Sequence, residues 1–231
     1  MKAGIVVVGV ALVAASVGTP VHGAVAFDNF GPGFSYDGST GFVVGIDGFG
    51  VNSVGARFVS TATGQLDRIW VAASSLDADS NDGLVYTIVA DAGGQPDGAL
   101  ASVEFDDVCD DSICPSGELL SAPFDGSASL QAGVPYWLVA STSDAESGFF
   151  WYAAPAGQDP GLVWIQNELF PDGQTFELPQ PPVFRIDVVV DQGPGEVGEP
   201  PGLLLAPLAM LALAVRRRLL TKAVRDENGQ P

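Results

Sequence analysis

The chain has 231 residues, with 28 acidic side chains against nine lysines and arginines, and a net charge of −19 at pH 7. From Phe27 to Glu199 the imbalance is sharper: Arg57, Arg68 and Arg185 stand against 26 carboxylates, a balance of about −23. Such a surface repels phosphate backbones and anionic lipid headgroups, so it excludes nucleic acid as a partner and suits cations, high salt or plain solubility.

In chain order, the first element is Met1, Lys2 and the uncharged run "AGIVVVGVALVAASVG". One positive charge, an apolar stretch short for a span of about 20 residues, and small residues beyond it predict a secretory signal peptide over residues 1–26. "AVA", Ala24 to Ala26, offers a cut after Ala26; a cut after Gly23 is the alternative. Either cut removes His22, the one histidine of the chain. The exported part then has no imidazole, which rules out Ser-His-Asp and Cys-His catalysis and His-ligated zinc. Lys2 is also lost and Lys222 lies near the C-terminus, so no lysine serves a Schiff base in the domain.

Residues 27–191 show no helical period. They hold short alternating or apolar segments: "GFVVGID", "SVGARFVST", "QLDRIWVAAS", "LVYTIVAD", "LASVEF", "ELLSAPF", "PYWLVAST", "GFFWYAA", "GLVWIQ", "TFEL" and "VFRIDVVV". Leu84, Tyr86 and Ile88 share one face of the fourth; Leu66, Arg68 and Trp70 alternate with Asp67, Ile69 and Val71 in the third. Between them stand stretches dense in Gly, Pro, Asp and Asn, such as "DAGGQPDG" and "AGQDPG". About ten strands at this spacing predict an all-β fold, an antiparallel β-sandwich, jelly-roll-like.

Four clusters in this domain carry candidate chemistry. Cys109 and Cys114, the only cysteines, are spaced for a disulfide that closes a short loop in an exported protein. "DADSNDG" puts Asp77, Asp79, Asn81 and Asp82 in one turn, oxygen ligands for calcium; an exposed acidic turn is the simpler account. Asp106, Asp107, Asp110 and Asp111 form a second acidic group. Phe149 and Trp151, with Trp164, could stack on a polysaccharide. Successive residues of a strand alternate faces, however, so at most two of Phe149 to Tyr152 share one, and core filling is the default. Paired carboxylates leave a glycoside hydrolase as an alternative, although so many acids make any pair uninformative.

Beyond the domain, residues 192–201 read as a Gly/Pro/Glu linker. Gly202 to Val215 is uncharged, about 21 Å long as a helix against a ~30 Å hydrocarbon core, and contains Pro207. Arg216, Arg217 and Arg218 follow, which would hold that end cytoplasmic with the acidic domain outside. Residues 219–231 form a cytoplasmic or disordered tail, and the membrane is met only through this end.

The order Glu199, Pro200, apolar run, arginine cluster resembles the PEP-CTERM sorting signal of Gram-negative exported proteins, with Gly198 in the place of its first proline. That resemblance implies an exosortase as processing partner; a plain anchor helix is the alternative. "FDNFGPGFSYDGSTGF", "DAGGQPDGAL" and "LQAGVPYWLVAS", in this order, resemble choice-of-anchor domains of the R type over Phe27 to Val190. The resemblance implies an exported bacterial sandwich and supplies no catalytic residues. The expected function is a non-catalytic, structural or adhesive role at the cell envelope or outside it, with a carbohydrate-binding module as the first alternative.

Overall fold

The structure is a computed structural model, which describes residues 23–47, 50–76, 83–109, 114–124, 128–143 and 146–190. The apolar run before Gly23, the calcium turn Asp77 to Asp82, and the linker, apolar run and arginines after Val190 lie outside the described residues. The chain divides after Asp191, and every described residue belongs to the first unit.

The described residues of that unit are all-β and contain no helix. The first strands are β1 (Gly23–Asp28), β2 (Asp37–Asp47), β3 (Gly50–Val59), β4 (Gly64–Ser75), β5 (Leu84–Asp91) and β6 (Pro96–Phe105). There follow β7 (Glu118–Pro123), β8 (Ser129–Leu130), β9 (Pro135–Thr142), β10 (Gly148–Ala153), β11 (Gly161–Gln166), β12 (Gln174–Leu178) and β13 (Phe184–Val189).

Every ladder is antiparallel, and all 13 strands join one continuous sheet. In its first half β4 is the hub. Arg68 lies opposite both Asp187 and Pro123, so β13 and β7 flank β4; β8 continues the β7 edge, and β10 continues the β13 edge. β1 extends β13, and β2 extends β10. The β2–β3 hairpin carries the sheet into its second half, ordered β12, β11, β3, β9, β5, β6.

The halves fold face to face in a sandwich-like arrangement. Tyr86 of β5 meets Trp151 of β10 edge-on at 5.0 Å, and Phe58 of β3 meets Phe184 of β13 at 5.5 Å. The cause is the period-two pattern. Val54, Ala56 and Phe58, then Leu84, Tyr86 and Ile88, then Phe184, Ile186 and Val188 point inward and are buried, while Arg57, Thr87, Arg185 and Asp187 point outward.

Strict alternation fails in β4. The register slips between Asp187 and Val188, so Asp67 is an extra residue facing a shortened partner. This bulge turns Leu66 to the same side as Ile69 and Val71, and all three are buried. The expected grouping of Leu66 with Arg68 and Trp70 is thereby corrected.

The outer face of the first half is not left to solvent. Gly31 pairs with Ser35 in a tight turn, with Phe34 at φ 60°, and Phe30, Phe34 and Tyr36 lie on Ala72, Tyr152, Val183 and Trp70. The Arg185 guanidinium sits 5.5 Å over the Phe34 ring. The segment "NFGPGFSY" is therefore a flap of rings that lets β4 and β10 be apolar on both faces.

Candidate functional site

Cys109 and Cys114 form a disulfide, their Cα atoms 6.0 Å apart. The bonded loop is tied to the sheet, since Ser75 N–H donates to Cys109 O and Cys109 N–H donates to Glu118. A ring this small restrains the unfolded chain by about 2 kcal/mol. Cys109→Ser is expected to lower unfolding free energy by that amount in a urea titration; an unchanged midpoint would show that the bond contributes nothing.

Phe149 and Trp151 face the sandwich interior and are fully buried, with Trp151 Nε1 donating to Val183 O at 2.9 Å. The opposite face of the same strand, Phe150 and Tyr152, lies under the aromatic flap. Phe149 and Trp151 are therefore core residues and not a platform, while the half-buried Phe150 packs edge-on against Tyr152 at 5.0 Å. Trp164 lies elsewhere, on the outer face of the second half. Asp106 and Asp107 are exposed, and among the described residues no three His, Cys, Asp or Glu side chains form a group fit for a metal.

Two concavities among the described residues bear on function. The larger, about 670 Å³, opens at the side of the sandwich among β1, β3 and the segment from Gln158 to Leu162. It exists because β11 leaves β3. Their ladder runs from Ser53↔Gln166 to Ala56↔Val163 and stops, while β3 continues to Val59 beside β9 alone. Gly161 lies flat against Pro181; a Cβ there would come within 2.8 Å of the proline ring. The absence of a side chain thus lets the start of β11 lean toward the opposite half. The floor is Phe27, Phe58 and Phe184, with Phe27 stacked on Phe184 at 4.6 Å. Val25 and Val59 stand at the lips, 38% and 47% exposed.

Most polar groups of this groove are already engaged. Asn29 donates to Pro182 O and accepts from Phe184 N–H. Asp28 accepts from Phe30 N–H and pairs with Arg185, and Thr61 donates to the β1 carbonyls of Val25 and Ala26. Asp159 has no ion-pair partner among the described residues.

The second concavity is a shallow trough of about 270 Å³ on the outer face of the second half. Val89, Val139 and Trp164 form its floor, and Ser53, Ser141, Asp97 and Gln166 its walls. The β11–β12 turn folds over Trp164: Gly173, at φ 75°, sits against the indole nitrogen, which is buried without a partner.

No known family model and no curated protein matches the sequence.

Beside the trough, Trp137 lies fully buried beneath an ion pair that the sequence pattern did not announce. Arg57 donates to Asp91 from Nε at 2.9 Å and from Nη2 at 3.3 Å, Trp137 Nε1 donates to the same carboxylate at 2.7 Å, and Gly94 N–H adds a fourth bond. The Arg57 hydrogen bond, seconded by Trp137, holds the Asp91 carboxyl below the usual carboxylate range despite the opposing effect of burial. A depressed folded-state pKa contributes stability above the unfolded value near 3.9, and that contribution is lost as pH falls through the folded value. The difference in melting temperature between wild type and Asp91→Asn is therefore expected to be constant above about pH 5 and to shrink in more acid solution. A difference that holds its size into strong acid would contradict the assignment.

The only spacing signal for this network was the outward alternation of Arg57, Trp137 and Asp91. Their cross-strand registers, Arg57↔Trp137 and Trp137↔Val89, bring them together only once β3, β9 and β5 are known to be neighbours.

Proposed function

We propose that this chain is an exported protein of a Gram-negative bacterium whose β-sandwich has a structural or adhesive role without catalysis at the envelope or in the extracellular matrix. In this reading residues 1–26, or 1–23, are a signal peptide, the sandwich is jelly-roll-like and of the choice-of-anchor kind, and residues 202–218 are a PEP-CTERM-like sorting tail recognised by an exosortase. The observation that supports it most is the Cys109–Cys114 bond in a strongly acidic domain, because such a bond persists in oxidising compartments and is rare in the cytosol.

The test is expression of the full chain in an exosortase-bearing host, with antibody labelling of intact cells and mass spectrometry of the recovered protein. Surface labelling, an oxidised cysteine pair and a C-terminus before Arg216 are the expected results. Intact protein in the cytosol with free thiols would reject the export; a mature C-terminus at Pro231 would reject processing.

A second reading, a carbohydrate-binding module, is favoured by the trough beside Trp164, where hydroxyls of Ser53 and Ser141 and the Asp97 carboxylate stand over an apolar floor. Ser141→Val should abolish retention on a polysaccharide affinity gel; retention that survives it would remove the trough from consideration.

A further inference from the structure

The groove between β1 and β3 has the form of a strand acceptor. We propose that it binds an extended polypeptide segment, rich in alternating apolar and basic side chains, laid along the free edge of β3 at Arg57 to Val59. This gives the adhesive role a partner chemistry and rests on that reading only for its biological setting.

Four observations point to this occupant. First, a strand edge faces the opening. β3 loses β11 after Ala56, while the β1 edge across the groove is already met at Val25 and Ala26 by Thr61. Unpaired edges carry backbone donors and acceptors that another strand can satisfy, and proteins ordinarily cover them. Second, the floor is apolar, and Val25 and Val59 are exposed at its lips. An added strand would direct alternate side chains onto Phe27 and past Val59. Third, the side-chain polar groups suit backbone pairing better than sugar recognition. Asn29, Asp28 and Thr61 are engaged with protein partners, and Phe58 and Phe184 are buried to within 2% and 1% of complete, which leaves no pair of ring faces for stacking. Fourth, the charge is complementary. Arg57 is held by Asp91 and Arg185 by Asp28 and Asp187, and Arg68, which makes no ion pair among the described residues, does not line the groove, so the groove has no unpaired arginine to meet an acidic partner. Asp159 at the rim is unpaired, in a domain with a balance of about −23. The same charge opposes a second copy of this chain as the occupant.

The experiment uses the purified full chain and a synthetic hexapeptide of alternating valine and lysine, with a valine–glutamate peptide as comparison. Binding is followed by calorimetry and by amide shifts. The lysine peptide should bind saturably, with shifts at Arg57, Val59, Val25 and Leu162, and roughly tenfold or more tighter than the glutamate peptide at low salt. Val59→Lys, at an exposed position, should weaken lysine-peptide binding roughly tenfold with the melting temperature unchanged; Leu169→Lys, exposed elsewhere, should not. Equal binding of the two peptides, or shifts confined to other faces, would overturn the proposal. So would saturable binding of a neutral oligosaccharide at these amides, or a sedimentation shift to a dimer closed by the same edge without peptide binding. None of these outcomes depends on where the protein resides, so failure of the export reading and failure of this inference remain distinguishable.

Discussion

A chain that starts at Phe27 is expected to melt about 5–15 °C below one that starts at Ala24, although the two differ by three small residues. Those residues are half of β1. Removing Ala24 to Ala26 deletes the ladder pairs Ala24↔Val188 and Val25↔Asp187. It also removes Ala26, which is fully buried and whose carbonyl accepts Thr61 N–H at 2.7 Å and the Thr61 hydroxyl at 3.1 Å. With net contributions of about 1 kcal/mol per hydrogen bond and the burial of a methyl group, the loss is about 2–4 kcal/mol. A further cost is a new ammonium group at Phe27, next to the ring that stacks on Phe184. Starting at Ala24 sacrifices only Gly23↔Val189, at the frayed end of the strand. The two starts correspond to the two signal-peptide cuts that the sequence allows, so calorimetry of both chains measures what the choice means for the fold. Equal melting temperatures would show that β1 before Phe27 adds nothing.

The same strand shows how far local pattern carries. Eleven quoted segments correspond to β2 to β7 and β9 to β13, because each is an alternating or apolar run of four or more residues between turn-formers. β1 escaped because "GAVAFD" has the small residues of a cleavage site, and its pairing to β13 lies 160 positions away. β8 escaped because two residues cannot show a period. The bulge at Asp67 was hidden for a related reason: a slipped register is a property of two strands, and only one was in view. The Cys109–Cys114 bond was legible because the chain's only two cysteines stand five positions apart, which leaves the pair little choice. The groove was not. Its lips come from β1, from the end of β3, and from the loop before β11, and its cause is the contact of Gly161 with Pro181. For the aromatic run both the alternation and the default of core filling hold, and the alternative of a sugar platform on Phe149 and Trp151 does not. Phe149 and Trp151 do share a face, but it is the inner one, and the outer one is roofed by the flap from Phe30 to Tyr36.

That placement decides how a loss of ligand binding in Trp151→Ala would have to be understood. Trp151 is among the largest fully buried side chains; it meets Tyr86 at 5.0 Å across the two halves of the sheet and Phe184 of its own half at 6.0 Å. Truncating a buried tryptophan costs about 3–5 kcal/mol, from lost transfer free energy and the cavity left behind. Here Val183 O also loses its indole donor in the interior. The variant is expected to lose about 6–20 °C in melting temperature. Trp151→Phe keeps most of the volume and should retain much of that stability, short of the hydrogen bond. Trp164→Phe is the informative contrast. Its indole nitrogen is buried without a partner, so replacing the ring system removes no hydrogen bond. If the trough binds a polysaccharide, Trp164→Phe changes affinity with little change in melting temperature, whereas Trp151→Ala changes both through the fold. A Trp151→Ala protein that melts like the wild type would mean that the two halves do not pack around this ring, and the face-to-face arrangement would be wrong at its centre.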